Sequence, residues 1–506
     1  MRDQWSDRAR ARRELLSQAN EVNSVLYDLL TEFSGLDHSV AAPVPTLENN
    51  IWSSNVVIQG AILDRLAQPH DSTDWAFGFK PTWKRNVFGI IVEMLAALAR
   101  PQFGISAVTE DPEGLGKSST FLFTYSDYDH QIPASQETSI FWGSLPLWLK
   151  DSVAVSWVGM GTRRTEKTRP LQSIRRGLTR ILLILEFLKS YPERLRLWTR
   201  LKTELRGHSL FAALRRDVRR ALFGLPAFEA LSLKKQLGAF LEKYHPKQVM
   251  VPHENQLWER VLAVQCRKRN INLVGVIHTT PRFWDIRFFS ISGFDNMQPD
   301  RYVDNGPASK HFLELGGVPS DRIISGSALR FEHLKNPDSR TSVAREKRNP
   351  SRALVVTGSN VSSASQLVKE IRGFSTLKDH EIVFRPHPAT VGALDGLIGS
   401  SARENRSVND FAKSYDVIIT ESMSSMALEL ASIGAKIAVF LPESQLNFSP
   451  LLANSKFESY FKDDNELNRI LLADAVAIDV STIITTVNSR EKWVQVFAIL
   501  ESEQKE

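Results

Sequence analysis

The chain has 506 residues, 42% of them hydrophobic and 24% charged; this excludes a disordered or low-complexity protein and leaves room for two domains of ordinary size. Its one cysteine, Cys266, excludes an intramolecular disulfide and fits a reducing compartment. The formal net charge of +6 is mild but uneven, because 17 Lys or Arg residues lie between Arg163 and Arg220.

The opening Met1-Arg-Asp-Gln-Trp-Ser-Asp-Arg8 is charged and no apolar core follows it, so no secretory signal is expected. Residues 1–35 read as a helix with Leu15, Leu16, Val22, Val25, Leu26 and Leu29 on one side. The apolar runs at 88–92 and 181–185 fall far short of the roughly 18 residues that span a bilayer, and the expected location is the cytoplasm. Phe121–Tyr125 and Val153–Val158 are short apolar runs bounded by polar residues, hence strands. From about 170 to 243 the pattern is helical. Across 163–220, Arg175, Arg176, Arg215, Arg216, Arg219 and Arg220 interleave with Leu, Ile, Phe and Trp, which suits the inner face of an anionic membrane or, equally, a solvated helix face. No recognised nucleic-acid module accompanies the charge, so no nucleic-acid partner is expected. Gln248–Val251 and Leu273–Ile277 read as strands around a helix opening near Glu254, which makes one βαβ unit. Residues 335–350, with Pro337 and Pro350, read as a linker. A second α/β set follows, with strands at 353–357, 381–384, 416–420 and 436–441, and a closing helix over 488–502.

Two segments of the second set carry chemistry: Glu381-Ile-Val-Phe-Arg-Pro-His-Pro388 and Val417-Ile-Ile-Thr-Glu-Ser-Met-Ser-Ser-Met-Ala-Leu-Glu429. Each opens as a buried parallel strand and stops at polar residues. In open α/β sheets ligands sit at such carboxyl strand ends. The Arg385 cation, the His387 imidazole and the Ser424 and Ser425 hydroxyls at a helix start suit a phosphate; the plainer reading is a capped helix and a proline-shaped turn. Gly358-Ser359-Asn360 after the preceding strand leaves backbone N–H groups for a phosphate, or is an ordinary βα turn. Asp127-Tyr-Asp129 could be a two-Asp metal motif, but a strand-end loop needs polar residues in any case, and no metal is expected.

The His387-Pro388 and Ser424-Ser425 pairs resemble the nucleotide-binding half of bacterial sialyltransferases and Kdo transferases. That resemblance implies the two-domain GT-B fold, a CMP-sugar donor, and phosphate contacts from His387, Ser424 and Ser425. A second series also resembles a family of bacterial surface-carbohydrate (O-antigen type) biosynthesis proteins: Pro252-His-Glu-Asn-Gln-Leu-Trp-Glu259, Gly275-Val-Ile-His278, Trp284-Asp-Ile-Arg287 and Ala328-Leu-Arg-Phe331, with Phe121–Tyr125 and Phe141-Trp-Gly143 earlier. It implies a pathway context. Glu421 and Glu429, with seven residues between them, also match the spacing in retaining transferases that use UDP- or GDP-sugars; in those the first Glu sits by the sugar and the second by the ribose. Glu429 is a ribose candidate under either reading.

In the first half, Glu254 and Asn255 directly follow a strand and face the expected cleft. An inverting transfer needs a base for the acceptor hydroxyl, and Glu254 is the candidate; otherwise it complements a helix dipole. Glu259 reads as a supporting or ion-pair group. His278, Arg282, Asp285 and Arg287 are candidates for the acceptor or a donor carboxylate, or form an ion-pair network.

The expected fold class is α/β, GT-B-like, with two Rossmann-like domains and a basic helical insertion. The expected division is 1–335 for the acceptor, with the insertion at 163–243, 351–487 for the donor, and a closing helix at 488–506. The expected function is glycosyl transfer, inverting and metal-independent, from a CMP-linked Kdo or nonulosonic acid to a glycan or lipid-linked glycan of a surface polysaccharide. The alternatives are a retaining UDP- or GDP-sugar transferase and a non-catalytic scaffold.

Overall fold

The structure is a computed structural model. It describes residues 2–33, 38–44, 104–107, 120–125, 141–149, 155–161, 169–170, 176–280, 282–284, 294–335, 351–358, 360–387, 390–399, 411–443, 445–453, 457–474 and 478–503, with the single residues 36, 61, 62, 66 and 139. The expected linker residues 336–350, the Asp127 and Asp129 pair, and Asp285, Arg287 and Ser359 lie outside them.

The first half opens with helix α1 (Arg2–Glu32), whose Leu15, Leu16, Val22, Leu26 and Leu29 are buried as the spacing predicts. Then come β1 (Gly104–Ala107), β2 (Thr120–Tyr125), α2 (Leu145–Leu149), β3 (Val155–Gly161) and β4 (Arg169–Pro170). Three long helices follow: α3 (Arg176–Glu204), α4 (Ser209–Phe223) and α5 (Leu225–Tyr244). The half closes with β5 (Gln248–Pro252), α6 (Leu257–Arg267), β6 (Asn272–Val276), β7 (Arg301–Val303), α7 (Pro307–Leu315) and β8 (Ile323–Ile324). The 8-stranded sheet runs β4-β1-β3-β2-β5-β6-β7-β8. From β3 to β8 every pair is parallel; β1 joins β3 and β4 antiparallel at the edge. The helical insertion α3–α5 enters between β4 and β5.

The second half contains β9 (Ser351–Val356), α8 (Val361–Gly373), β10 (His380–Arg385), α9 (Val391–Ile398), α10 (Phe411–Ser414), β11 (Val417–Glu421), α11 (Met426–Ser432), β12 (Ile437–Phe440), β13 (Tyr460–Phe461) and α12 (Asp464–Leu472). Its five strands are all parallel, in the order β10-β9-β11-β12-β13. Strands such as β11, buried at every position, read as continuous apolar runs because helices cover both faces. The fold is therefore α/β with two Rossmann-like halves and a helical insertion in the first, the GT-B-like class expected.

In the second half β10 lies on one side of β9 and β11 on the other, and in the first half β3 lies on one side of β2 and β5 on the other, so in each sheet the strand order reverses. The reversal falls between β9 and β11 in the second half, and between β2 and β5 in the first. At such a switch point the connections leave the sheet in opposite directions and open a crevice at the carboxyl ends of the strands. The last helix, α13 (Ser489–Glu503), returns to the first half. Its Trp493 Nε1 donates to Ser327 O at 3.4 Å, and Glu503 pairs with Arg301 through two contacts of 2.7 and 2.9 Å.

Candidate functional site

At the first switch point β5 ends at Pro252, and His253 N–H still bonds Val276 O at 2.8 Å. The chain then turns. Asn255 takes a left-handed φ of 53°, which Asn tolerates better than most residues, and this delays the helix. Residue Leu257, not a position near Glu254, therefore opens α6. Glu259, in the first turn of α6, reaches back to accept the N–H of Asn255 at 2.9 Å and of Glu254 at 3.0 Å. Such a back-reaching carboxylate satisfies donors that the helix start leaves orphaned. The same carboxylate accepts the Tyr125 hydroxyl at 3.0 Å and lies 2.9 Å from His253 Nδ1. Burial, and then the charges of Glu259 and Glu254, hold the Tyr125 phenol well above its ordinary pKa, so it stays a donor. Glu259 is thus the buried support of the turn.

Glu254 stands at the edge of this cluster. Its Oε1 lies 3.2 Å from His278 Nε2, and its Oε2 accepts from Gln256 Nε2 at 2.7 Å. His278 follows β6, is buried, and packs edge-on against Phe141 at 5.1 Å between ring centroids. Asn255 is buried and its carbonyl and side chain receive the Arg260 guanidinium. The structure brings Glu254 and His278 together and gives Asn255 a role in shaping the turn.

At the second switch point Gly358 follows β9 and Glu421 ends β11. The Gly358 N–H donates to Glu421 Oε1. A Cβ on residue 358 would sit 2.9 Å from the Glu421 carboxyl carbon, so a larger residue there would push this carboxyl from its place. Glu421 is 3% exposed, and its Oε2 has no hydrogen-bond partner among the described residues. Burial pushes the carboxyl up to about 7; the Gly358 N–H and the Arg282 cation pull the other way. Asn360 caps α8 by accepting Ser363 N–H at 3.1 Å.

His387 follows β10. Its N–H donates to Thr357 Oγ1 at 3.2 Å, while its carbonyl accepts the Thr390 N–H at 2.8 Å and the Thr390 hydroxyl at 3.0 Å. Two buried threonines thus pin the turn on either side of the imidazole. Burial, and then the Arg330 charge, lower the His387 pKa, so the ring is neutral at pH 7. Arg385 lies over the Phe411 ring at 5.0 Å, a cation–π contact on a neighbouring element. Ser424 is buried, and Ser425 sits at the N-cap of α11 without capping it through its hydroxyl.

Three connections join the two halves. Arg282, beyond β6, donates through Nη2 to Met423 O at 2.6 Å. The Arg330 charge acts on His387. His333 Nε2 lies 3.4 Å from Glu429 Oε2, which raises the His333 pKa. Sequence reasoning missed the threonine clamp, of which Thr390 is three residues and Thr357 thirty residues from His387; Arg330 and Arg282 stood in quoted motifs, but their reach to His387 and Met423 had no local signal. Among the described residues no group of three or more His, Cys, Asp or Glu side chains is placed to hold a metal ion.

No protein-family model matches the chain, and no curated protein matches it. Among solved structures it is similar to the UDP-GlcNAc 2-epimerase of Methanocaldococcus jannaschii, in complex with UDP-GlcNAc and UDP, at 15% identity and a TM-score of 0.38, covering 54% of this chain and 81% of that one. It is similar to S. aureus MnaA with UDP at 13% identity and 0.38, covering 53% and 79%. Acinetobacter baumannii MurG is similar at 13% identity and 0.34, covering 53% and 78%.

Proposed function

We propose that the protein is a glycosyltransferase that holds a nucleotide-activated sugar at the carboxyl ends of β9, β10 and β11 and its acceptor at those of β5 and β6. The observation that carries this reading is a strand-order reversal in each of two α/β halves that are bridged by Arg282 to Met423 and by His333 to Glu429. Gly358, His387, Ser424 and Ser425 converge on the donor side. Glu254, held by His278, takes the acceptor hydroxyl proton as the sugar bond forms and the nucleotide leaves with the former bonding pair. The His-Pro and Ser-Ser resemblance favours a CMP-linked Kdo or nonulosonic acid and an inverting transfer into a surface polysaccharide. A UDP- or GDP-sugar is the second reading, favoured by Glu421 at the switch point with Glu429 one helix away.

Calorimetry against CMP, CDP, UDP and GDP tests this. One family of nucleotides is expected to bind, and His387→Ala to weaken that binding by about 1.5–3 kcal/mol, the worth of one hydrogen bond to a charged group. Failure of all four to bind rejects the reading; unchanged affinity in the variant rejects the phosphate role of His387.

A further inference from the structure

Resting on the donor-site reading above, we propose that Glu421 binds the donor as a neutral carboxylic acid, donating a hydrogen bond from Oε2 to an anionic oxygen of the ligand. Three features of the site carry this. Oε1 already accepts the Gly358 N–H, so it is the carbonyl oxygen of the acid and the proton belongs on Oε2. Oε2 is buried and without a partner among the described residues, which leaves its hydrogen bond for something the protein alone does not supply. The carboxyl stands between the ends of β9 and β11, where a Rossmann-like sheet receives an anion. A carboxylate there would repel a phosphate or a sugar carboxylate; an acid welcomes either.

The charged groups acting on Glu421 come from two directions. Arg282 approaches from the first half and the Gly358 N–H from the β9 end, and both favour the ionised form. Burial outweighs them and keeps the proton on the group up to about pH 7. Two other imidazoles belong to this side of the cleft, His387 on the β10 turn with its pKa lowered and His333 facing Glu429 with its pKa raised. Both remain in any Glu421 variant and so set its residual pH dependence.

The role predicts a direction opposite to that of a carboxylate accepting from sugar hydroxyls. If only the protonated form binds, affinity falls about tenfold from one pH unit below the midpoint to one above it, and binding above the midpoint takes up a proton from buffer. The probes are UDP-N-acetylglucosamine and CMP-N-acetylneuraminate, whose phosphodiester charges stay fixed over this range. Affinity is measured by calorimetry near pH 6 and pH 8, in two buffers of different ionisation enthalpy. Glu421→Gln keeps an acceptor for Gly358 and presents an N–H where the acid had its O–H. It is expected to bind within about threefold of the wild-type affinity near pH 6 and to keep that affinity near pH 8, whereas Glu421→Ala weakens binding about tenfold or more. Wild-type affinity that is flat or rises with pH overturns the inference, as does a Gln variant as weak as Ala, while leaving the donor site standing. Failure of both probes to bind wild type at either pH overturns the donor-site reading and this inference together.

Discussion

Glu254 and Glu259 are two carboxylates on one turn with different work. Glu259 is buried and saturated by two backbone N–H groups and the Tyr125 hydroxyl, so it has no capacity left for a substrate proton. Glu254 is only partly buried and touches one imidazole and one amide. Under the proposed transfer, that contrast makes Glu254 the candidate base and Glu259 the support of the turn. Glu254→Gln is expected to leave donor affinity within about twofold and to lower turnover by about 10²–10⁴, the usual contribution of a positioned acid–base group. Turnover within a few-fold of wild type on the true acceptor would remove Glu254 from the mechanism. His278→Gln is the companion variant: as a positioning group it should shift the pH profile of turnover rather than abolish activity.

At the scale of elements, α3 stands apart because it is apolar on two sides. Leu183, Phe187, Leu197 and Leu201 are buried, whereas Leu182, Leu185, Leu188, Tyr191 and Leu195 recur every three or four residues on another side and are exposed, Leu185 at 56%. Lys189 and Arg196 stand exposed on the same helix, within the segment that holds the chain's excess of positive charge. Leucines beside cations are the composition with which a helix can lie in the interfacial plane of an anionic bilayer, so the membrane contact expected from the sequence is a proposal to be tested on this face; among the described residues no helix is long and apolar enough to cross a bilayer. Replacing Leu182, Leu185 and Leu188 with Gln is expected to lower partitioning onto anionic vesicles by about two orders of magnitude, taking roughly 1 kcal/mol for each half-buried Leu. Equal sedimentation of variant and wild type, or of wild type with anionic and neutral vesicles, would dismiss the membrane contact. The two-sided pattern of α3 is written in the sequence, yet which side stays open is decided by α1, α4 and α5, which pack against the other. The longer parallel strands were legible for a related reason, because burial makes most of each an apolar run, whereas the two- and three-residue parallel strands β7, β8 and β13 are too short to carry one. The antiparallel strand β1, Gly-Ile-Ser-Ala, has no such run and left no signal. The start of α6 was misread because one left-handed asparagine outweighs the helical pattern around it. The motif residues were visible, but the threonines that clamp His387 and the arginines that reach across the cleft are tertiary facts.

For the molecule as a whole, α13 is the tie. Trp493, Val496, Phe497 and Leu500 are buried, and the preceding segment adds Thr485 N–H to Asn305 O at 2.8 Å and Ala328 N–H to Thr485 O at 2.8 Å. Gly306, at a φ of 146°, lets that segment pass: a Cβ there would meet Ile484 Cα at 2.6 Å. Trp493→Ala is expected to cost about 3–5 kcal/mol in denaturant unfolding, with the first half losing its protection from hydrogen exchange ahead of the second. Loss confined to the second half would show that the helix belongs to its sequence neighbours instead. The return of α13 also sets a clock on the ribosome. The seat around Ser327 is translated well before the helix that covers it, and at roughly 5–20 residues per second the intervening stretch takes on the order of ten seconds or more. Throughout that interval the nascent first half presents an open apolar seat, so this end of the chain is where a chaperone has both the time and the surface to intervene.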